Sequence, residues 1–338
     1  MDSVTQIALG ASVGGVVAGR RMGRAALLAG ALLGSAPDLD VLVPFAGAVE
    51  SFTYHRSFSH SLIVLSIVAP LIAVLLYRFT RFRELSLTHC WLFTWLVLIT
   101  HPLLDTFTVY GTQLFWPLSD YPVSGSSVFI IDPVYTIILL TGLAVMLLRQ
   151  TVSGWKWNRV CLILASVYLG WSLIAKWLVT HEVTQGLARQ GIEYERLLTT
   201  PMPFNTIGWR FVAMQSNGYV SGYTSLLDPS STPLHIESHS SDSSLLESIA
   251  EHWPVTRLQK FTHGFYKVHR VDDNVLITDL RMGVEGAYVF NFIVAEVADN
   301  RVYAVDSRQA DIDRDFSSMG RLFKRIVDPD ALLSADNH

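Results

Sequence analysis

Six apolar stretches, separated by short polar breaks, dominate the first 180 residues: roughly 4–19, 25–36, 61–77, 88–105, 129–148 and 160–180. A helix that crosses the hydrocarbon core needs about 20 largely apolar residues, so the last four predict spans. The first two are shorter and rich in glycine and alanine (GASVGGVVAG and ALLAGALLG). Small side chains let helix backbones approach closely in lipid. This pair therefore predicts a tight helical hairpin packed among the other helices, without a full crossing of its own. Beyond residue 181 the pattern changes to turn residues and short alternating runs such as WRFVAM, NVLITDL and AYVFNFIVAEV, which predict strands. The expected fold class is a membrane all-α bundle of about six hydrophobic helices over residues 1–180, followed by a smaller extracytoplasmic α+β domain over 181–338. The end, DALLSADNH, reads as a loose tail.

Composition agrees with a membrane chain. Half of the 338 residues are apolar and only 16% are charged, against about a quarter charged in soluble domains. The net charge of −4 and the lack of a basic stripe point away from nucleic acid. Cys90 and Cys161 both lie in apolar segments and read as packing residues, forming neither a disulfide framework nor a zinc ribbon. Asp2 precedes the first apolar run and Arg20, Arg21 and Arg24 follow it, the reverse of a signal peptide, so the run reads as retained.

The polar breaks set an orientation. Arg20, Arg21 and Arg24, then Arg78, Arg81 and Arg83, then Arg149, Lys156 and Arg159 fall on one side, while 37–60 and 106–128 contain only Arg56. The positive-inside rule makes the nine-residue side cytoplasmic. Both termini and the C-terminal domain are then expected outside a bacterial inner membrane.

The ionisable residues of the bundle gather on that outer side. HPLLD sets His101 and Asp105 at i and i+4, one face of a helix. PDLD sets Asp38 and Asp40 at i and i+2, which in an extended stretch point the same way. HRSFSHS adds His55 and His60, with Ser57 or Ser59 as the expected N-cap of the next helix. So many carboxylates and imidazoles beside lipid repel one another unless a cation joins them. Imidazole with carboxylate suits zinc, with manganese or iron as alternatives. Asp38, Asp40, His55, His60, His101 and Asp105 are thus six candidate ligands, enough for two ions. Each taken alone is more often a cap or a solvated group; jointly they favour a metal. Asp132, before Pro133, reads as an N-cap, and Asp2 and Glu50 read as solvated. Arg56 could grip a substrate phosphate or pair with an aspartate, with equal weight on each. HEVTQ at 181–185 lacks the second histidine of a zinc-protease helix. In the C-terminal domain, His263, Asp279 and Arg281 are the most suggestive polar residues, with ordinary strand-end and loop roles favoured.

PDLD, HRSFSHS and HPLLDTFTVYGTQLFWP, in this order between apolar helices, resemble the YdjM/YbcI-like family of bacterial membrane-bound metal-dependent hydrolases. That family carries the domain-of-unknown-function 457 label, and some members are described as LexA-regulated inner-membrane proteins. The resemblance covers about residues 1–150 at motif level and maps the family's ligands onto Asp38, Asp40, His55, His60, His101 and Asp105. One departure stands out: Gln6 occupies a place where many relatives carry histidine. The family's distant grouping with zinc phospholipases and nucleases implies phosphoester hydrolysis. The expected function is a metal-dependent hydrolase at the outer face of the inner membrane. It would act on a phosphoester such as a lipid headgroup, with Asp38 or Asp40 as general base and Arg56 steadying the anion. The alternatives are a non-catalytic metal-binding membrane scaffold and an intramembrane metalloprotease. The lipid bilayer is the expected partner.

Overall fold

The computed structural model describes residues 1–149, 152–229, 232–312 and 319–331. They form two compact units. The first comprises Met1–Val43, Tyr54–Leu173 and Pro203–Asn205; the second comprises Pro44–Thr53, Ile174–Met202 and the chain from Thr206 on.

The first unit is helical. Helix α1 (Ser3–Met22) is followed by α2 (Arg24–Ser35), which runs into a 3₁₀ segment at Ala36–Leu42. Asp2 caps α1, accepting from the Thr5 amide at 3.1 Å, so it is a structural cap and not a solvated charge. The two helices are joined at Gly23, whose φ of 57° lets the chain reverse in one residue. Their contact is set by glycine. A Cβ on Gly30 would lie 2.2 Å from the Gly10 carbonyl, and one on Gly34 would lie 2.7 Å from the Gly10 Cα. Any larger side chain would force this hairpin apart.

Against the hairpin pack α5 (Leu87–Asp105), α6 (Pro133–Arg149) and the first part of α7 (Val152–Arg189), and α4 (Leu62–Leu76) packs against α5. Ser61 caps α4 through the Val64 amide, while Ser57 bonds the Tyr54 carbonyl and Ser59 bonds Asp40, so neither of the two expected serines is the cap. Asp132 does cap α6, accepting from the Tyr135 amide at 2.9 Å. The core holds Leu9, Ala26, Phe93, Val97, Leu104 and Leu139. The outward faces of α4, α6 and α7 carry exposed Ile67, Leu71, Ile137, Ile163 and Val167, a surface suited to lipid.

Among the described residues, fewer helices meet the requirement for a span than the six hydrophobic helices expected, four of them as full crossings. Three do so by length and hydropathy: Arg24–Leu42, Leu87–Asp105 and Val152–Arg189. A fourth is the bent pair Ala48–His60 and Leu62–Leu76, which meet at 52°. Four glycines with Thr5, Gln6, Ser12 and Arg20 lower the hydropathy of α1, and α6 has only 17 residues.

The second unit contains two antiparallel four-stranded sheets, each a simple meander: β1 (Arg196–Pro201), β2 (Gly208–Gln215), β3 (Gly218–Ser225) and β4 (His235–Ser240), then β5 (Tyr266–Val271), β6 (Asn274–Asp279), β7 (Asn291–Ala298) and β8 (Arg301–Gln309). The last part of α7 lays Val179, Val183 and Leu187 against Trp209, Phe211 and Val220 of the first sheet. The short helix α3 (Ala48–Tyr54) also belongs here: Phe52 packs on Phe261, Phe290 and Phe292. The closing tail, from residue 332, lies outside the described residues.

Candidate metal centre

Four polar side chains of the first unit point at one another. Asp38 comes from the 3₁₀ segment after α2, His60 from the turn before α4, and His101 and Asp105 from consecutive turns of α5. The loop after α5 secures the turn, since the Gln113 amide bonds the Arg56 carbonyl at 3.0 Å and the Leu62 amide bonds the Leu114 carbonyl at 2.9 Å.

The distances have a regular pattern. His60 Nε2 lies 3.1 Å from His101 Nε2, 3.4 Å from Asp38 Oδ1 and 3.3 Å from Asp105 Oδ2. His101 Nε2 lies 3.2 Å from Asp38 Oδ1 and 3.5 Å from Asp105 Oδ2. All four donor groups lie within 4.8 Å of one another. Nitrogen and oxygen ligands about 2.0–2.1 Å from a tetrahedral ion stand about 3.3 Å apart. The cluster has the spacing of a coordination shell.

Hydrogen bonding fixes which ring nitrogens are bare. His101 Nδ1 lies 2.6 Å from the Gly34 carbonyl, which can only accept, so Nδ1 carries a proton and, in the neutral ring, Nε2 carries the lone pair. Ser59 Oγ donates to Asp40 Oδ2 at 2.6 Å and is left to accept from His60 Nδ1 at 2.9 Å, which frees His60 Nε2 in the same way. Buried Asp105 Oδ2 has no hydrogen-bond partner. With both rings neutral, two imidazole lone pairs and two carboxylate oxygens face one point, an arrangement that a cation among them would relieve. The donor set fits a divalent ion, with nitrogen and oxygen ligands suited to zinc, manganese or iron.

The surroundings hold these ligands. Asp105 Oδ1 accepts from the Met1 amino group and from Gln6 Nε2 at 3.0 Å, and Arg56 Nε lies 3.4 Å from Asp105 Oδ2. Gln6 is fully buried here, and its Oε1 has no partner. The guanidinium of Arg56 is buried, reaches Thr108 Oγ1 at 3.3 Å and stacks over Tyr110, on a backbone with φ of 63°. Asp40 sits alongside the four and not among them. It accepts from the Arg56 amide at 3.0 Å and from Ser59, and it pairs with His55 Nδ1 at 2.8 Å. The i, i+2 argument for Asp38 and Asp40 assumed extended backbone, but residues 36–42 form a 3₁₀ helix. With about three residues per turn, side chains two apart diverge, and each aspartate serves a different histidine pair. Of the four converging side chains only Asp38 meets solvent, at 25% exposure against at most 1% for the others.

Elsewhere, His181 and Gln185 of HEVTQ bond each other at 2.9 Å on an exposed face. Asp279 and Arg281 form a buried two-pronged ion pair, at 2.7 Å for its shortest contact, and His263 lies in the turn after α8 (Trp253–Phe261) with φ of 56°. Sequence reasoning reads Ser59 only as a candidate cap and gives no sign of Gly34 or Gln113. The first two act through a hydroxyl and a backbone carbonyl, for which spacing gives no signal.

Residues 1–179 match the family described as YdjM inner membrane protein. Inner membrane protein YbcI of Escherichia coli is 41% identical over 97 residues, 28% of this chain and 54% of that protein. A Bacillus subtilis protein named Uncharacterized protein YfhP is 29% identical over 152 residues, 43% of this chain and 46% of that protein. The chain thus spans about half the length of the curated relatives it matches. No solved structure matches. The residues of the Asp/His cluster all lie within the matched region, and the chain belongs to the YdjM inner membrane protein family.

Proposed function

We propose that this chain is a membrane-embedded metal-dependent hydrolase acting on a phosphoester at the membrane–water boundary. In this reading His60, His101 and Asp105 hold the ion, Asp38 is the general base, and Asp40 with Ser59 orients His60. The observation that carries it is the asymmetry of the cluster. Three donors are sealed from solvent, and the fourth, Asp38, stands on the side where water reaches it. Three protein ligands with one accessible side is the pattern of a catalytic zinc site. When bound, the ion supplies Lewis acidity and makes water beside it acidic near neutral pH. Asp38 accepts the proton that such a water gives up. Arg56, already engaged with Asp105, balances the charge of that carboxylate and is poorly placed to clamp substrate.

The rim supports an amphiphilic substrate. Leu39, Val41 and Leu42 beside Asp38, and Phe115 and Leu118 in the loop after α5, are exposed apolar side chains. A lipid headgroup ester presented at an interface would meet this collar before the polar cluster. The loop charges support an outer-face site and an extracytoplasmic second unit.

A second reading has a specific observation behind it. If Asp38 binds the ion as a fourth ligand, the shell is closed, which describes a structural metal in a scaffold. Asp38→Asn separates the two. In the hydrolase, metal content stays near that of the parent while turnover of a phosphodiester or phospholipid falls by about 10²–10⁴. In the scaffold, metal is lost and the parent shows no turnover at all. An intramembrane protease gains no support from the exposed His181–Gln185 pair.

A further inference from the structure

At the end of the helical unit away from the Asp/His cluster there is a cavity of about 480 Å³, lined by Arg20, Gly23, Arg24, Leu27, Met146 and Trp155 among others. Helix α1 connects the two places. Gln6 lies beside Asp105, and Arg20 is 14 residues on, about 20 Å at 1.5 Å per residue. The cavity is therefore independent of the site described above, and its test does not depend on the hydrolase reading.

Its walls divide by chemistry. Leu27 and Met146 are buried and form an apolar floor. Arg20 and Arg24 are exposed, and Gly23 between the two helices leaves open space, with no atom within 4 Å of where a Cβ would stand. The Trp155 indole donates to the Val16 carbonyl at 3.1 Å, which fixes the ring. The Arg20 guanidinium stacks on this ring at 4.0 Å, and that of Arg159 lies 6.0 Å from it on the same indole. Among the described residues no carboxylate pairs with Arg20. An aromatic platform holds the cation while leaving its hydrogen-bond donors unspent. Arg20, Arg21, Arg24, Arg149, Lys156 and Arg159 crowd this end, with Glu84, engaged by Arg81, as the acid of the loops on that side.

We infer that this cavity binds the phosphate headgroup of an anionic phospholipid, with Arg20 and Arg24 on the phosphate and the glycerol end against Leu27 and Met146. Basic residues in a recess between membrane helices, next to an interfacial tryptophan, match that ligand in charge and in amphiphilicity. A soluble phosphate would use the arginines but not the apolar floor.

The test is lipid binding to the purified, delipidated full chain, followed by native mass spectrometry. Phosphatidylglycerol and phosphatidylcholine with identical acyl chains are the lipid probes, and inorganic phosphate alone is the third. The expected result is preferential binding of phosphatidylglycerol, weakened about thirtyfold in Arg20→Gln/Arg24→Gln. The same charge change away from the cavity, Arg78→Gln/Arg83→Gln, should leave binding unchanged. Val152→Trp, at an exposed position of the rim, keeps every arginine and so the charge; with helicity checked, it should also abolish binding. Equal loss in the two double variants, unaltered binding in Val152→Trp, or equal binding of phosphatidylcholine would overturn the assignment. So would inorganic phosphate binding as tightly as the lipid with the same dependence on Arg20 and Arg24.

Discussion

At the scale of single residues, the account rests on where two protons sit. The Gly34 carbonyl and Ser59 hold the Nδ1 protons of His101 and His60, and so aim both Nε2 lone pairs at one point. Second-sphere partners of this kind tune affinity without supplying it. Asp40→Asn should therefore keep the metal stoichiometry while weakening affinity about 10–100-fold, whereas His101→Ala should abolish binding; metal titration of each purified variant checks both. His269 of β5 offers a separate test in the second unit. Its Nδ1 is buried without a partner. Burial, and then neighbouring Lys267, lower its pKa below the ordinary 6.5, outweighing Glu285. Above pH 6.5 the ring is neutral whether the chain is folded or not. As pH falls below that value the unfolded chain takes up a proton the folded one resists, so stability declines. The drop in thermal midpoint between neutral and mildly acidic pH should shrink in His269→Gln. Much of the cluster was legible here, because HPLLD is a helical i, i+4 pair whatever surrounds it. The division of labour between Asp38 and Asp40 was not, because it turns on a 3₁₀ segment that local spacing does not announce.

At the scale of elements, the α1–α2 hairpin supports the cluster from below. Gly34, in the last turn of α2, sets its carbonyl on His101, and Gln6 of α1 donates to Asp105. Gly30→Ala would drive a methyl into the Gly10 carbonyl. It should cost about 1–3 kcal/mol and lower metal content along with the thermal midpoint. Gly170→Ala on α7, with open space around it, should be neutral or slightly stabilising, because alanine suits a helix interior better. The small-residue runs made the hairpin readable from sequence. The extent of α7 was less so: the apolar run fades near residue 180, yet the helix continues to Arg189 because Val183 and Leu187, four apart, cover Trp209 and Phe211. Tertiary packing, which no local window contains, extends it.

At the scale of the whole molecule, the two units follow different solvents. Helices turn apolar side chains outward, and the meander sheets turn theirs inward. Alternating runs announced the strands, but their partition into two sheets depends on long-range pairing. The segment Pro44–Thr53, between PDLD and HRSFSHS, falls in a polar break of the sequence, yet it packs within the second unit through Phe52. The loop charges support the proposal that this unit lies on the extracytoplasmic side. A Ser216→Cys variant, at the exposed β2–β3 turn and in a background with Cys90 and Cys161 replaced by alanine, should react with a membrane-impermeant thiol reagent in intact spheroplasts. Labelling only after lysis would reverse the orientation.

The central claim is that His60, His101 and Asp105 hold a cation beside Asp38. It is tested most directly by the metal content of the purified full chain beside that of His60→Ala/His101→Ala, each checked for retained helicity. The account predicts one divalent ion per parent chain and none in the double variant. A parent without metal under saturating zinc, manganese or iron, or a double variant that holds as much as the parent, would contradict it.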